Sequence, residues 1–448
     1  MEKNIIEYPN LKEIEQLLWR QLQETFSTVM KKLLEEIDKQ IAEERDKKRF
    51  RLLDKRELSL DSLFGEIKLK RNYYRDRQTG EYVFLLDRYL EFEGAGEFSP
   101  LVEEAALELA ICGPSYRKAA QTLETLLGYR VISHETIRQH LLQVVSVPKK
   151  REPIRSPVLF VEVDGLYTKR QGKKGKRGKE EKIAAVHQGW EMNGKRAKLK
   201  NKRHYVHDGK QPFWEGFEEF LTDNFEYEPL VHKLVINGDG AGWITSCREH
   251  FKDRAFFTID RFHVAKEIRS IFRNHPRYRH IREALASHDG EKLLIELNSA
   301  FGTLDDEAKE KELKDLINQL EQYPESLGDY RVWLKEQGID TRGMRPMGSA
   351  EATMSVFAKR LKNGRSWVDT GVSAMMTGLV AYFDKQVLKT LFGRVERWIE
   401  DKEEKNPPKH YLEKVTSTVG EVTRDNLTYL KGKANTPIYR ALKALSGF

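Results

Sequence analysis

The chain has 448 residues and 39% hydrophobic content, which allows about three domains with packed cores and argues against a disordered protein. Apolar runs such as "VLFV" are far short of the about 20 residues that cross a membrane, and the amphipathic, charged start "MEKNIIEYPNLKEIEQLLW" holds no secretion-signal core. The net charge of +8 suits a polyanionic partner; Cys112 and Cys247, 135 positions apart, suit reduced cytosolic thiols and cannot build a cysteine-rich zinc site.

Residues 11–56 read as one long charged helix with an apolar stripe through Ile14, Leu17, Leu18, Leu22, Phe26 and Met30. The period then changes. In "SLFGEIKLKRNYYRDRQTGEYVFLLDRYL" Ile67, Leu69 and the aromatics alternate with basic residues, and "RQTGEY" supplies a turn, so a β-hairpin is expected. From Ser99 to Val145 the pattern is helical again, and Gly113 is a C-terminal cap for the first of these helices. A helix carrying Ala119, Ala120, Leu123 and Leu126 stops at Gly128, and a second, capped by Ser133, runs through Ile137, Leu141 and Leu142. This is the helix-turn-helix layout, whose second helix enters a major groove, with Ser133, His134, Thr136, Arg138 and Gln139 as groove-facing candidates. The same spacing also fits an ordinary pair of antiparallel helices.

"VPKKREPIRSP" (147–157) reads as a linker, beyond which the chain becomes mixed α/β. Strands are expected at "VLFVEVDG", "IAAVHQGWEM", "RHYVH", "HKLVINGD" and "AFFTID", with a charged helical stretch from about 264 to 340 and further helices from 349. Between Lys169 and Lys182, eight basic residues stand against two acidic ones, and "KRAKLKNKR" follows at 195–203. Two such runs flanking one strand favour a phosphate-binding surface, with Lys173, Lys174, Lys176 and Arg177 at its centre.

The stretch "INGDGAGWI" (236–244) places Gly238, Gly240 and Gly242 at alternate positions after an apolar run. A dinucleotide loop needs a third glycine where Trp243 stands, and Asp239 would repel a phosphate. The glycines read instead as room around an acid, leaving space for a bulky ligand beside Asp239. "VLFVEVDG" has the same form, an apolar run ending in Asp164-Gly165. One Asp-Gly is an ordinary turn pair; two at the ends of neighbouring core strands can share hard, oxygen-loving cations. Glu351 is the best third acid. Ser349 is a fair N-cap, Ala350, Met354, Phe357 and Leu361 form the buried stripe, and Glu351 shares a face with Ser355, Lys359 and Lys362.

Asp164 and Asp239 on strands with Glu351 on a helix resemble the DDE triad of transposases with an RNase H-like core. "IDRFHV" places Asp260 and His263 in a D-x-x-H pattern similar to that of Mutator-type elements, and the 112 positions from Asp239 to Glu351 hold a helical stretch of the kind that group inserts. "AEATMSVFAKRLKNGRSWVDTGVSAMM" resembles the segment around the family's glutamate, and the order of parts resembles bacterial insertion-sequence transposases of the ISLre group over nearly the whole chain. Glu162, on the same side of the strand as Asp164, and Asp260, which also ends an apolar run, remain alternative ligands, and His263 goes with Asp260 as a second-tier motif residue.

The resemblance implies an α/β fold: an RNase H-like mixed-sheet catalytic core with a mostly helical insertion, preceded by a helical/β-hairpin and helix-turn-helix DNA-binding region. Its divisions are an N-terminal helical region (1–60), a β-hairpin region (61–97), a helix-turn-helix domain (98–147), the core's first part (155–264), the helical insertion (265–342), the core's second part carrying Glu351 (343–395) and a C-terminal helical tail (396–448). It also implies metal-dependent cleavage and strand transfer at the terminal inverted repeats of the chain's own element and at target DNA. Asp164, Asp239 and Glu351 would hold two Mg²⁺ ions about 3.5–4 Å apart, with Mn²⁺ able to substitute. Lys359, Arg360, Lys362 and Arg365 would meet phosphates, and Trp243 and Trp367 are either core residues or platforms for an unpaired base. Partners are DNA and at least one further copy of the chain, with no membrane and no nucleotide cofactor, in the bacterial cytoplasm at the nucleoid. An inactive DNA-binding regulator and a sequence-specific nuclease of the same core are the alternatives.

Overall fold

The computed structural model describes residues 10–90, 98–146, 151–172, 178–194, 196–386 and 388–390. The expected tail (396–448) and Lys173, Lys174, Lys176 and Arg177 lie outside them. Among the described residues no helix is long and apolar enough to cross a membrane. The chain divides into two compact units, Met1–Val144 with Thr390–Phe448, and Val145–Lys389.

In the first unit, Asn10 and Glu13 form a reciprocal cap, each side chain accepting the other's backbone N–H at 3.0 Å, and start helix α1 (Leu11–Glu44). The helix ends earlier than its charge pattern suggests. An antiparallel sheet of β1 (Phe50–Ser62), β2 (Gly65–Asp76) and β3 (Tyr82–Val83) follows, and β1 escapes sequence detection because nearly all its first half is exposed. Leu34 and Ile37 of α1 pack on Leu58, Leu60, Ile67 and Leu69 of that sheet. Of the apolar stripe, Ile14, Leu17, Leu18, Leu22 and Phe26 are exposed. After α2 (Leu85–Tyr89) come α3 (Pro100–Cys112), α4 (Tyr116–Leu127) and α5 (His134–Leu142), which share a core of Val102, Ala106, Ala110, Leu123, Leu127 and Ile137. Gly128 ends α4 at φ 78° and the Ser133 hydroxyl caps α5, the two boundaries marked by residue type, although Leu127 rather than Leu126 is buried.

Between the units lies β4 (Val144–Ser146). The second unit is built on a mixed sheet. Its strands are β5 (Val158–Arg170), β6 (Lys179–His187), the small hairpin β7 (Trp190–Asn193) and β8 (Arg196–Leu199), β9 (Arg203–Val206), β10 (Lys233–Gly238) and β11 (Ala255–Ile259). The order is β11-β10-β5-β6-β9, with the first three parallel and the last two joined antiparallel. Helices α6 (Phe213–Asn224), α7 (Gly242–Thr245) and α8 (Cys247–Phe251) cover one face, packing Phe213, Trp214, Phe217 and Phe251 on Leu159, Val161, Val163, Leu234 and Ile236. Residues of opposite parity, Val158, Phe160 and Val235, form the other face.

Past β11 the chain turns helical: α9 (Arg261–Phe272), α10 (Tyr278–Ala286), α11 (Gly290–Ala300), α12 (Glu307–Glu321), a 3-10 turn at Pro324–Leu327, and α13 (Tyr330–Glu336). Their apolar faces meet in a core running from Ile259 to Leu327, while Tyr330 and Leu334 return to the second sheet face. There α14 (Ala350–Leu361) packs on β5, and β12 (Ser366–Trp367) pairs parallel with Lys169–Arg170, before α15 (Asp369–Asp384).

Glu162 joins these parts. It is 1% exposed and follows Val158 and Phe160 on the second face. Its Oε2 accepts from Asn237 Nδ2 of β10 at 2.7 Å, and its Oε1 accepts the backbone N–H groups of Gly348 and Ser349 at 2.9 and 2.8 Å. Ser349 therefore does not cap α14 with its hydroxyl, which is buried without a hydrogen bond; the carboxylate from β5 holds the helix start instead. Glu162→Ala would leave the buried Asn237 amide and the part-buried N–H groups of Gly348 and Ser349 without their acceptor, and is expected to lower unfolding free energy by roughly 2 kcal/mol in urea melts. Glu162→Gln, which keeps an acceptor toward Gly348 and Ser349 while the Asn237 amide can turn round, should cost only about 1 kcal/mol.

Candidate active site

The parallel strands β5, β10 and β11 run out at one edge of the sheet. Pairing of β5 with β10 stops at Glu162 and Asn237, so Asp164 stands beyond its neighbour with that flank open. This corrects the expectation that the strand ends in Asp164-Gly165: β5 continues to Arg170, held by β6. Asp239 follows the last residue of β10, and Asp260 follows the last of β11, its N–H bonded to Gly238 O at 2.7 Å. Three acids thus neighbour one another, Asp164 in β5 just beyond its pairing with β10, and Asp239 and Asp260 just past the carboxyl ends of β10 and β11, the side on which open α/β sheets bind ligands.

The acids differ in what occupies their oxygens. Asp260 is 2% exposed and caps α9; its Oδ1 accepts from Phe262 N at 2.9 Å and its Oδ2 meets His263 Nδ1 at 3.0 Å. Both oxygens are committed, as are those of Glu162. Among the described residues, Asp164 Oδ1 accepts only from the N–H of Gly165, at 2.7 Å, and Asp239 Oδ1 only from the N–H of Ala241, at 3.0 Å. Each keeps its second oxygen free of such bonds. Burial first, then the charges of Asp239 and Asp260, raise the Asp164 carboxyl to about 6, while its bond to Gly165 and the nearby His263 oppose the rise. The bond to Asp260 chiefly holds His263 protonated to higher pH, and Asp164 and Asp239 add to this.

Glu351 belongs to another element: it is exposed in the first turn of α14, on a face with Ser355, Lys359 and Lys362, as its helical spacing requires. Ala350, Met354, Phe357 and Leu361 are buried, with Thr353 and Arg360 beside them. The charges of Asp164, Asp239, Asp260 and His263 act on one another. Among the described residues no three His, Cys, Asp or Glu side chains stand close enough to enclose a metal ion.

Several expected DNA contacts have other work. Arg365 Nη1 donates to the carbonyls of Lys359, Arg360 and Lys362, closing the end of α14. Arg170 is paired with Glu181 and with Asp369. Lys202 is half-buried, its Nζ donating to Thr353 Oγ1 at 2.6 Å. Trp367 is 7% exposed and donates to Leu361 O, and Trp243 packs on Phe213, so neither offers a free ring face. On α5, Arg138 and Gln139 both donate to Glu135, Ser133 and Thr136 share a hydroxyl contact of 2.7 Å, and His134 is exposed.

Two residues of the site were not singled out from sequence. Glu267, one turn beyond His263, has its carboxyl raised by local desolvation, opposed by His263 and reinforced by Asp239 and Glu312; its spacing from His263 was the available signal. Gln319 of α12 donates to the main-chain carbonyl of Asp239 at 2.9 Å, a contact 80 residues away in sequence that no local pattern announces.

The chain belongs to the uncharacterised protein family UPF0236, whose model matches residues 5–400. It is similar to a UPF0236 protein in the vanSb 3′ region of Streptococcus gallolyticus, at 27% identity over 388 residues, 83% of each chain. It is likewise similar to two UPF0236 proteins of Caldanaerobacter subterraneus subsp. tengcongensis. One, whose name joins eleven locus labels, is 27% identical over 428 residues (92% of this chain, 87% of that protein). The other, joining four, is 26% identical over 430 residues, with the same coverage. Among solved structures, a chain of the Drosophila P element transposase strand transfer complex aligns over 80% of this chain and 82% of its own, at 13% identity and a TM-score of 0.25, too loose an overlap to carry an argument.

Because the Asp164 carboxyl is raised from 3.8 to about 6, the folded chain holds that proton more tightly than the unfolded chain between those values. Stability contributed there falls as pH rises through this window, and the full cost of the charge is present above pH 6. Asp164→Asn is therefore expected to raise the melting temperature of metal-free protein at pH 7–8, with the gain shrinking toward pH 4, in thermal melts across that range.

Proposed function

We propose that this protein is a DDE-type transposase of a bacterial insertion sequence, which cuts DNA at the ends of its own element and joins them to a target. The observation that carries the proposal is the division among its acids. Glu162 and Asp260 spend both oxygens on structure, while Asp164, just beyond the pairing of β5 with β10, and Asp239, just past the end of β10, keep one each. In this reading the mixed sheet is the RNase H-like core and α9–α13 its helical insertion. A relative whose name joins eleven loci in one genome supports it from another side, since a mobile element leaves copies of itself.

The chemistry would be in-line attack at phosphorus by water and then by a 3′-OH. Asp164, Asp239 and Glu351 would hold Mg²⁺, which activates the attacking oxygen and steadies the leaving one. The donor set fits a hard cation: carboxylate oxygens without competing donors, and an Asp164 whose charge its acidic neighbours oppose and a cation would favour. Since no three such side chains among the described residues stand close enough to enclose a metal ion, α14 would have to bring Glu351 to the other two as DNA enters. His263, held by Asp260, presents a positive group beside developing phosphate charge. Lys359 and Lys362 on the Glu351 face would neutralise the backbone, and α4 and α5 would read the terminal repeats with His134 toward the groove. Synapsis of two ends takes at least two copies, acting at the nucleoid.

The test is to incubate the protein with Mg²⁺ and DNA carrying both flanks of its own gene, beside Asp239→Asn and Glu351→Gln. Metal-dependent 3′-OH ends and joined products are expected from the wild type, with at least a hundredfold loss in either variant. Cutting without joined products would make it a nuclease, specific binding without cutting a regulator. Cutting that survives Asp239→Asn would sink the assignment of the acids.

A further inference from the structure

At two of the three glycines around Asp239 the space is filled by the protein itself, while Gly242 stands in open space. A Cβ on Gly238 would lie 2.6 Å from Ile244 Cγ2. Gly240 has φ +89°, where L side chains are strained, and a Cβ there would lie 2.7 Å from Gln319 Nε2. Gln319 comes from α12 in the helical stretch between the second aspartate and the glutamate, and its amide reaches the Asp239 carbonyl because position 240 has no side chain.

The contact belongs to a continuous grip. Four residues on, Tyr323 donates to Thr245 Oγ1 at 3.3 Å, and Arg248, from the helix after the Asp239 loop, lies over the Tyr323 ring at 4.9 Å. Arg248 is also ion-paired with Glu325. Thr258 and Arg261, on either side of Asp260, donate to the carbonyls of Ser326 and Leu327 at 3.3 and 3.2 Å. One segment, Gln319–Leu327, therefore holds both acidic strand ends, and Gln319 alone touches the peptide of Asp239.

We infer that Gln319 is a positioning residue for the metal-binding geometry of Asp239, the point at which the helical insertion sets that carboxylate against Asp164. The inference rests on the metal-dependent reading above. Asp239 is held at two points, its side chain accepting from Ala241 N–H and its main-chain carbonyl from the Gln319 amide, and only the second of these comes from outside the loop. A single hydrogen bond adds little to global stability, but a small displacement of a ligand oxygen weakens binding and slows the chemistry.

The test uses the full chain and reads metal binding without turnover: the Mn²⁺ concentration giving half-maximal thermal stabilisation, for wild type, Gln319→Leu, Gln319→Met and Asp239→Asn. Gln319→Leu and the unbranched Gln319→Met are expected to need about fivefold more Mn²⁺, the weight of roughly 1 kcal/mol, with metal-free melting temperatures close to wild type. Both should also cut DNA more slowly at limiting than at saturating metal. A half-maximal concentration unchanged in both variants, whatever their melting temperatures, overturns the role of Gln319. If Asp239→Asn retains the metal-dependent shift, or the wild type has none, the metal-binding assignment itself fails, which separates that failure from one confined to Gln319.

Discussion

A buried carboxylate, Glu162, is the constraint on which the acidic edge of the sheet depends. An isolated charge in a sheet interior costs several kcal/mol, and it is tolerated only when donors surround it. Here one oxygen takes the Asn237 amide and the other takes two backbone N–H groups at the start of α14. The three contacts lock the register of β5 against β10 and tie a helix that begins 188 residues later to the same strand. Asp164 lies two residues on, on the same face, so the bond that fixes Glu162 also fixes where Asp164 projects.

Beyond that anchor the site is a problem of like charges. Three aspartates stand on adjacent strands, Asp164 within β5 and the other two just past β10 and β11, and the sheet resolves the crowding by giving them different partners. Asp260 receives the N-terminus of α9 and the His263 imidazole, which neutralise it locally. Asp164 and Asp239 receive one backbone N–H each, from their own turns, and the repulsion between them is left standing. A structure-only role would call for a cation from the protein here, as Arg71 serves Asp87 in the first unit. His263 supplies this only in part, while Arg170 is paired with Glu181, Lys202 donates to Thr353 and Arg365 closes the end of α14. The imbalance is what sets this edge apart from the rest of the molecule.

Much of this was legible from residue types. The core strands read as β-branched apolar runs because both faces of the sheet are covered, and the acids at their ends stood out against those runs. The exposed face of α14, with Glu351, Lys359 and Lys362, followed from helical spacing alone. What stayed hidden has physical causes. β1 carries alternating charges on an exposed ribbon, so it lacks the apolar signal by which strands are read. The stripe of α1 is amphipathic by composition, yet its first half buries little, since periodicity says which residues share a face and not whether anything covers that face. Ser349 has the right chemistry for a cap and loses the place to a distant carboxylate, a competition decided only by tertiary approach.

The glycines of "INGDGAGW" show the same limit most clearly. Their spacing excludes a phosphate loop, because Trp243 stands where close helix packing demands a glycine and because Asp239 carries the wrong charge. That they make room was readable; for what was not. Gly238 makes room for Ile244 of α7 and Gly240 for Gln319 of α12, while Gly242 stands in open space. A helical domain placed between the second aspartate and the glutamate is thus more than a spacer. It shares the wall of the site, and any movement of α12 relative to the sheet must either carry Asp239 with it or break the bond between them.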